Sequence, residues 1–241
     1  MVTEMVVVMM TMRMMIGAIA DDTNSVFSPC EDTKVQKSDG FTFGLAFSKK
    51  EFFFFDNVQL SPCDSRLALA SKMAQLAVFR PKVDEISLLT INGSIPLAAG
   101  GYMVAFAGRK YAARSFPVMV ADEKNTITSF TLVLEFQKGT LQNLYWKSFG
   151  CDSCSGESAV CLNKQDCAIP TSKCGPTGCS LGIQLAFSGT DKNLEALNSW
   201  YEVNNLRQYS LYGLYSDLRD SITGSIPDFF PGSFPANNKL F

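Results

Sequence analysis

Apolar residues alternate with polar or small residues along much of the chain, a period of two that is typical of β-strands. Phe43, Leu45 and Phe47 continue one such row from Phe41. The same alternation predicts further strands at 52–60, 76–79, 86–91, 102–106, 116–120, 132–136, 141–146 and 183–187. An antiparallel sheet with one apolar face needs a second layer to cover it. We therefore predict a mainly β fold, an antiparallel β-sandwich or jelly roll, with an open-ended barrel as the nearest alternative.

One pair of predicted strands is joined by a recognisable turn. Lys138-Gly139 lies between the rows 132–136 and 141–146. Because glycine adopts positive φ without steric cost, this dipeptide favours a tight β-hairpin.

The period changes to that of a helix after Gly189. Apolar residues over 194–201 lie on one helical face, with Thr190 or Asp191 as the N-cap. A longer stripe over 211–222 predicts a second helix. We expect one or two helices to close the fold.

The chain has eight cysteines, and six of them lie close together in a segment rich in glycine and proline. The six are Cys151, Cys154, Cys161, Cys167, Cys174 and Cys179. Such a segment has few large apolar side chains to bury, so we predict three disulfides within it. The sequence leaves their pairing open. Cys30 and Cys63 remain, and we expect them to pair with each other.

The spacing Cys151-x-x-Cys154 also occurs in zinc sites and in redox centres. Redox centres usually open a helix after a strand, and structural zinc sites are found mainly in reducing compartments. Both uses remain alternatives to structural disulfides.

The first twenty residues resemble a signal peptide. They are rich in Met and Val and end in Ala18-Ile19-Ala20, so we expect cleavage after Ala20. A membrane anchor is the competing interpretation, but Arg13 interrupts the apolar run. The predicted organisation is a signal peptide at 1–20, one β-rich domain at 21–222 with a cysteine-rich insert at 151–179, and a Pro/Gly-rich tail at 223–241. No later segment is expected to span a membrane, so the mature chain is expected outside the cell.

The amino-acid composition limits the catalytic and binding functions open to this chain. The chain has no histidine, which excludes Ser-His-Asp and Cys-His catalysis and histidine-ligated metals. A net charge of −2 offers no broad basic surface for nucleic acid. Carboxylate chemistry remains, with Asp84-Glu85, Glu135 and Glu202 as candidates, although each is typical of a surface carboxylate. We assign no catalytic residue, metal site or cofactor.

Aromatic residues with polar tips are the candidate ligand-binding residues. Tyr145, Trp146, Trp200 and Tyr201 can stack on sugar rings, and packing within the fold is the competing interpretation. Asn92-Gly93-Ser94 is the N-glycosylation acceptor, in a loop containing glycine.

Four segments resemble the plant secreted expp-one family: 22–30, 77–90, 101–111 and 198–203. The resemblance covers nearly all of the mature chain, and it implies a plant origin and an extracellular or cell-wall setting. It supplies no catalytic residues. The tail after Thr223 is longer than the family pattern.

Together these features predict a secreted, non-enzymatic protein of the plant apoplast or cell wall that binds a glycan or an extracellular protein. One alternative is a carboxylate-dependent glycan hydrolase. The other is an interaction or inhibitor module that presents the cysteine-rich insert.

Overall fold

The structure is a computed structural model that describes residues 22–72, 74–91, 101–109, 113–151, 154, 159–174 and 179–205. The predicted leader, the acceptor Asn92, the stripe 211–222 and the tail lie outside these residues. The strands are β1 (Phe43–Ser48), β2 (Phe54–Phe55), β3 (Val58–Gln59), β4 (Gln75–Phe79), β5 (Ser87–Ile91), β6 (Tyr102–Ala107), β7 (Ala113–Arg114), β8 (Val118–Met119), β9 (Asn125–Ile127), β10 (Ser129–Gln137), β11 (Thr140–Trp146), β12 (Val160–Leu162), β13 (Asp166–Pro170), β14 (Leu181–Thr190) and β15 (Ala196–Leu197).

Helices are short. The 3-10 helices are Lys50–Phe53, Ser65–Leu67, Leu69–Lys72 and Thr171–Lys173, and the α-helix α1 is Ser199–Asn205. None of the helices in the described ranges has the length and apolar character needed to cross a membrane.

Two five-stranded sheets form the body of the fold. The first has the order β4-β1-β6-β7, with β8 also paired to β6. The second has the order β11-β10-β14-β15, with β5 also paired to β14. All pairs are antiparallel except β10 and β14, which run parallel over eight residue pairs from Ser129↔Gly182 to Phe136↔Gly189. The mainly β, antiparallel fold class predicted from the sequence is thereby confirmed.

The main core is built by alternate residues of the central strands of both sheets. Because side chains point to opposite faces in turn, every second residue enters this core. Its largest fully buried side chains are Phe43 and Leu45 of β1, Met103 of β6, Leu132, Leu134 and Phe136 of β10, Leu144 of β11, and Leu181, Ile183 and Phe187 of β14. Burying each large side chain of this kind stabilises the fold by about 1.5–3 kcal/mol.

The first sheet is buried on its other face as well. A second cluster places Phe53, Leu67 and Leu69 against Ala46 and its neighbours in β6. This double burial explains why five of the six residues of β1 are buried.

The ring of Phe106 requires a glycine opposite it. A Cβ added to Gly44 would lie 2.2 Å from the Phe106 ring. Phe106 and Gly44 are direct partners in the β1–β6 pair, so the ring occupies the space of the missing side chain.

The prediction of a single strand over 52–60 is wrong. Residues Lys50–Phe53 form a 3-10 helix instead, and β2 and β3 make a small hairpin. Asp56 and Asn57 have φ of 46° and 67°, so the chain reverses direction at these two residues. The apolar alternation of the sequence runs through this turn and does not reveal it.

The predicted start of the helix, at Thr190 or Asp191, is also wrong. The buried carboxylate of Asp191 accepts hydrogen bonds from the amides of Asn193 (2.7 Å) and Glu195 (2.9 Å), which closes a turn. The chain then forms β15, and α1 begins only at Ser199.

The hairpin predicted at Lys138-Gly139 is confirmed. Both residues have positive φ, 52° and 75°, and they join β10 to β11. A side chain at Gly139 would meet the carbonyl oxygen of Val35 at 2.5 Å, so close contact also demands glycine here.

All eight cysteines form disulfides, as predicted. Cys30 bonds to Cys63, as the sequence indicated. In the insert, whose pairing was left open, the bonds are Cys151–Cys161, Cys154–Cys167 and Cys174–Cys179. The insert also contains the β12–β13 hairpin, and β13 pairs with β9, which attaches the insert to the rest of the fold.

Candidate functional site

Trp146 lies at the margin of the main core. Its ring packs edge-on against Phe130, with centroids 5.7 Å apart. Its indole Nε1 donates a hydrogen bond of 2.8 Å to Oγ of Ser115, which is 1% exposed. Trp146 is thus half-buried and is held by packing and by a hydrogen bond.

Tyr145 points to the opposite face of the second sheet. It is the direct partner of Val133 in β10, and Val133 is in turn the partner of Ala186 in β14. Val133 and Ala186 are fully buried, so this outer face is covered where they lie. Burial raises the pKa of the Tyr145 hydroxyl, and the negative charge of Glu135 adds to the effect.

Trp200 and Tyr201 lie on α1. The ring of Trp200 stacks on Phe149, with centroids 6.0 Å apart and an interplanar angle of 27°. Tyr201 is 69% exposed. A stacked ring and an exposed phenol are therefore carried by consecutive residues of one short helix. We call Phe149, Trp200 and Tyr201 the α1 aromatic site.

The start of α1 is fixed by Asp84. Its Oδ1 accepts hydrogen bonds from the amides of Asn198 (2.6 Å) and Ser199 (2.8 Å). Its Oδ2 is 2.8 Å from Nζ of Lys37, and the Asp84 side chain is only 3% exposed. This hydrogen bond raises the pKa of Lys37. Asp84, one of the carboxylates considered for catalysis, is thus used to position the helix.

Ser199 ties the same helix to the edge of β14. Its Oγ accepts a hydrogen bond from the amide of Phe187 (2.8 Å) and donates to the Phe187 carbonyl (3.4 Å). Phe187 lies between the stretches of β14 that pair with β5 and β15. The hydroxyl therefore takes the place of a strand partner along this part of the edge.

The other candidate carboxylates are exposed. Glu85 lies 3.6 Å from Lys82, Glu135 points outward from β10, and Glu202 lies on the exposed side of α1. A shallow depression is lined by Glu51 and Asp56 among others, and its walls are open to solvent. Within the part of the chain that the structure describes, no three Asp, Glu or Cys side chains converge as a metal site.

Of the four aromatic residues singled out in the sequence, Trp200 is brought against Phe149 and Tyr201 is left exposed on the same helix. Trp146 and Tyr145 point to opposite faces of one sheet. Sequence reasoning missed Phe149, whose separation from Trp200 along the chain leaves no local signal. It also missed Ser199, because the predicted helix was placed too early.

Comparison with known proteins assigns the chain to a family. No curated protein and no solved structure matches the chain. A family model matches residues 1–126 and residues 117–231, which together span most of the sequence. The chain belongs to the family described as Uncharacterised protein DDB_G0273449.

Proposed function

We propose that this protein is a secreted, non-enzymatic protein of the plant apoplast or cell wall, and that it binds a glycan at the α1 aromatic site. The observation that carries the proposal is the exposure of Tyr201 beside the stacked pair Trp200–Phe149. Flat aromatic faces bind the C–H faces of sugar rings, and polar groups at their edges bind the hydroxyls.

Preorganisation supports this assignment. Asp84 and Ser199 both hold the start of α1, so the helix backbone that carries the aromatic residues needs little ordering when a ligand binds. A binding site held in advance loses less conformational entropy on association.

The four disulfides support secretion, since such bonds form and persist in oxidising compartments. The predicted leader and the resemblance to plant secreted proteins favour the same setting. Glycosylation at Asn92 would follow from passage through the secretory pathway.

Binding is tested with the chain from Asp21 onward, produced in a secretory host and run through gels that contain plant wall polysaccharides. We expect at least one polysaccharide to retard the protein. Trp200→Ala and Tyr201→Ala should each raise the dissociation constant obtained from the retardation by about tenfold or more. Phe116→Ala removes another exposed aromatic ring, 83% exposed, and should leave binding unchanged.

The outcome that contradicts the proposal is equal retardation of all these variants, or none with any wall polysaccharide. Far-ultraviolet circular dichroism of each variant checks that the sandwich is intact.

A further inference from the structure

Three lysines converge on two aromatic rings at the outer side of the first sheet. Nζ of Lys49 lies 6.0 Å and Nζ of Lys72 lies 5.0 Å from the centroid of the Phe52 ring. Nζ of Lys50 lies 5.8 Å from the centroid of the Tyr102 ring. We call these five residues the cationic-aromatic patch. Lys72 is far from Lys49 in sequence, so the fold brings the two charges to one ring.

The rings of this patch are firmly held. Phe52 belongs to the 3-10 helix Lys50–Phe53, and Tyr102 begins β6. Both rings are half-buried and pack against the second core cluster. Lys49 and Lys50 are exposed, and Lys72 is half-exposed. The charges therefore lie on a rigid aromatic support that faces solvent.

The three ammonium groups have no described carboxylate within 4.0 Å. Five other basic residues of the described chain do have one: Lys37, Arg66, Arg80, Lys82 and Lys192. The described lysines Lys124, Lys147 and Lys173 have none, so the distinguishing feature of the patch is the convergence of Lys49 and Lys72 on one ring. Glu51 and Asp56 line the neighbouring depression with Lys50, beyond this distance.

A cation–π contact at an exposed site is weak, so each ammonium group can still pair with an anion. Lys49 and Lys72 both have Nζ within 6.0 Å of the Phe52 ring centroid, so an anion at that ring lies near two positive charges. The arrangement is therefore suited to a negatively charged group from outside the chain.

We propose that the cationic-aromatic patch binds the carboxylates of an acidic polysaccharide, a chain of uronic acids. Lysine supplies compact positive charges that suit single carboxylates. The half-buried rings between them offer apolar surface to the sugar. Three lysines on a chain of net charge −2 are too few for the counterion release that nucleic acids need. The lysines of the patch lie on or beside two 3-10 helices, Lys50–Phe53 and Leu69–Lys72, whereas extended peptides dock on sheet edges or in grooves.

The test compares the Lys49→Gln, Lys50→Gln, Lys72→Gln triple variant with a control triple variant that has the same charge change. Lys124, Lys147 and Lys173 are exposed, lie outside the patch, and are changed to Gln in the control. Titration calorimetry of the whole mature protein measures binding to polygalacturonate, to its fully methyl-esterified form, and to polyaspartate. Thermal melting of each variant checks that the fold is kept.

We expect the patch variant to bind polygalacturonate about tenfold or more weakly than the unmodified protein, and the control to stay within about twofold of it. Raising salt from about 0.05 M to about 0.5 M should weaken binding by the unmodified protein. Three results would overturn the proposal: no binding to polygalacturonate, equal binding to the esterified polymer, or equal loss in both triple variants. Equal or tighter binding to polyaspartate would assign the patch to an acidic protein and overturn it too. Because Trp200→Ala leaves the patch intact, this variant should keep the salt-sensitive, lysine-dependent part of polygalacturonate binding. Loss of that part in the patch variant alone tests the patch, and loss of neutral-polysaccharide binding in Trp200→Ala alone tests the α1 aromatic site.

Discussion

Cys161 and Cys167 face each other directly across the β12–β13 hairpin, yet each is bonded to a different cysteine. Cys161 bonds to Cys151, and Cys167 bonds to Cys154. Backbone hydrogen bonds already hold the two strands of the hairpin together, so a bond between the facing pair would add little order. The observed pairing instead fastens Cys151 to one strand and Cys154 to the other, and a backbone hydrogen bond joins these two cysteines.

The Cys30–Cys63 bond joins two turns of the same kind. Oγ of Ser28 accepts from the amide of Cys30 (3.2 Å), and Oγ of Ser61 accepts from the amide of Cys63 (3.3 Å). The sequence repeats Ser-Pro-Cys followed by an acid at both places. The bond ties the N-terminal segment to the residues that cover the outer face of the first sheet.

Removing this bond should lower the free energy of unfolding markedly. It closes a loop with a sequence separation of 33, for which chain entropy predicts a loss of about 3–4 kcal/mol in the Cys30→Ser, Cys63→Ser double variant. The Cys174–Cys179 bond spans a separation of 5, and its double serine variant should lose about 2 kcal/mol. Urea unfolding measures both. A smaller loss for the longer loop would contradict the argument.

Much of the sandwich follows from short-range patterns. Alternation located β1, β4, β5, β6, β10, β11 and β14, and the Lys138-Gly139 turn fixed a hairpin, because both signals lie within a few residues. The parallel pairing of β10 with β14 depends on contacts about fifty residues apart, and no local pattern records it.

The site was less predictable for the same reason. α1 begins at Ser199 because Asp84, a distant residue, accepts its first amides. The alternation around Phe52 resembles a strand, although the left-handed pair Asp56 and Asn57 divides it. Disulfide connectivity likewise required the folded positions of all six cysteines in the insert.

Asp166 should destabilise the insert at neutral pH. Burial raises the pKa of its carboxyl, and the hydrogen bond from Ser148 opposes this only in part. A carboxyl with a raised pKa in the folded state favours folding when protonated. The loss of folding stability caused by Asp166 is therefore fully present above the pKa of the folded state. It disappears as the pH falls to the pKa of the unfolded state, about 3.9.

Asp166→Asn keeps an oxygen acceptor for Ser148 and removes the charge. We expect the variant to melt at a higher temperature than the unmodified protein at pH 7. The difference in melting temperature should vanish at about pH 3, where the side chains of both proteins are neutral. Thermal melts at the two pH values measure it, and a variant that melts lower at pH 7 would refute this explanation.

Asp84 should be required for the position of α1. Asp84 has φ of 67°, so Asp84→Gly removes the carboxylate without creating backbone strain. This leaves two amides and Lys37 without their acceptor, and we expect a loss of about 2 kcal/mol in the free energy of unfolding. Asp84→Asn tolerates the same φ and keeps one acceptor oxygen, so it should lose less.

Tryptophan fluorescence reports the local effect of these Asp84 variants. If α1 leaves its place, Trp200 separates from Phe149 and its emission shifts to longer wavelength in the glycine variant. Equal stability of the Gly and Asn variants, with unshifted emission, would show that Asp84 does not hold the helix.

Trp146 should act on stability and leave glycan binding unchanged. Its Nε1 donates to Ser115, whose Oγ also accepts from the amide of Ala105 (2.9 Å). Trp146→Phe keeps an aromatic ring at the core margin but removes the donor, so we expect unfolding free energy to fall by about 1 kcal/mol. Retardation by wall polysaccharide should stay unchanged, in contrast to Trp200→Ala. Loss of retardation with unchanged stability would show that the binding surface lies at this end of β11 and not at α1.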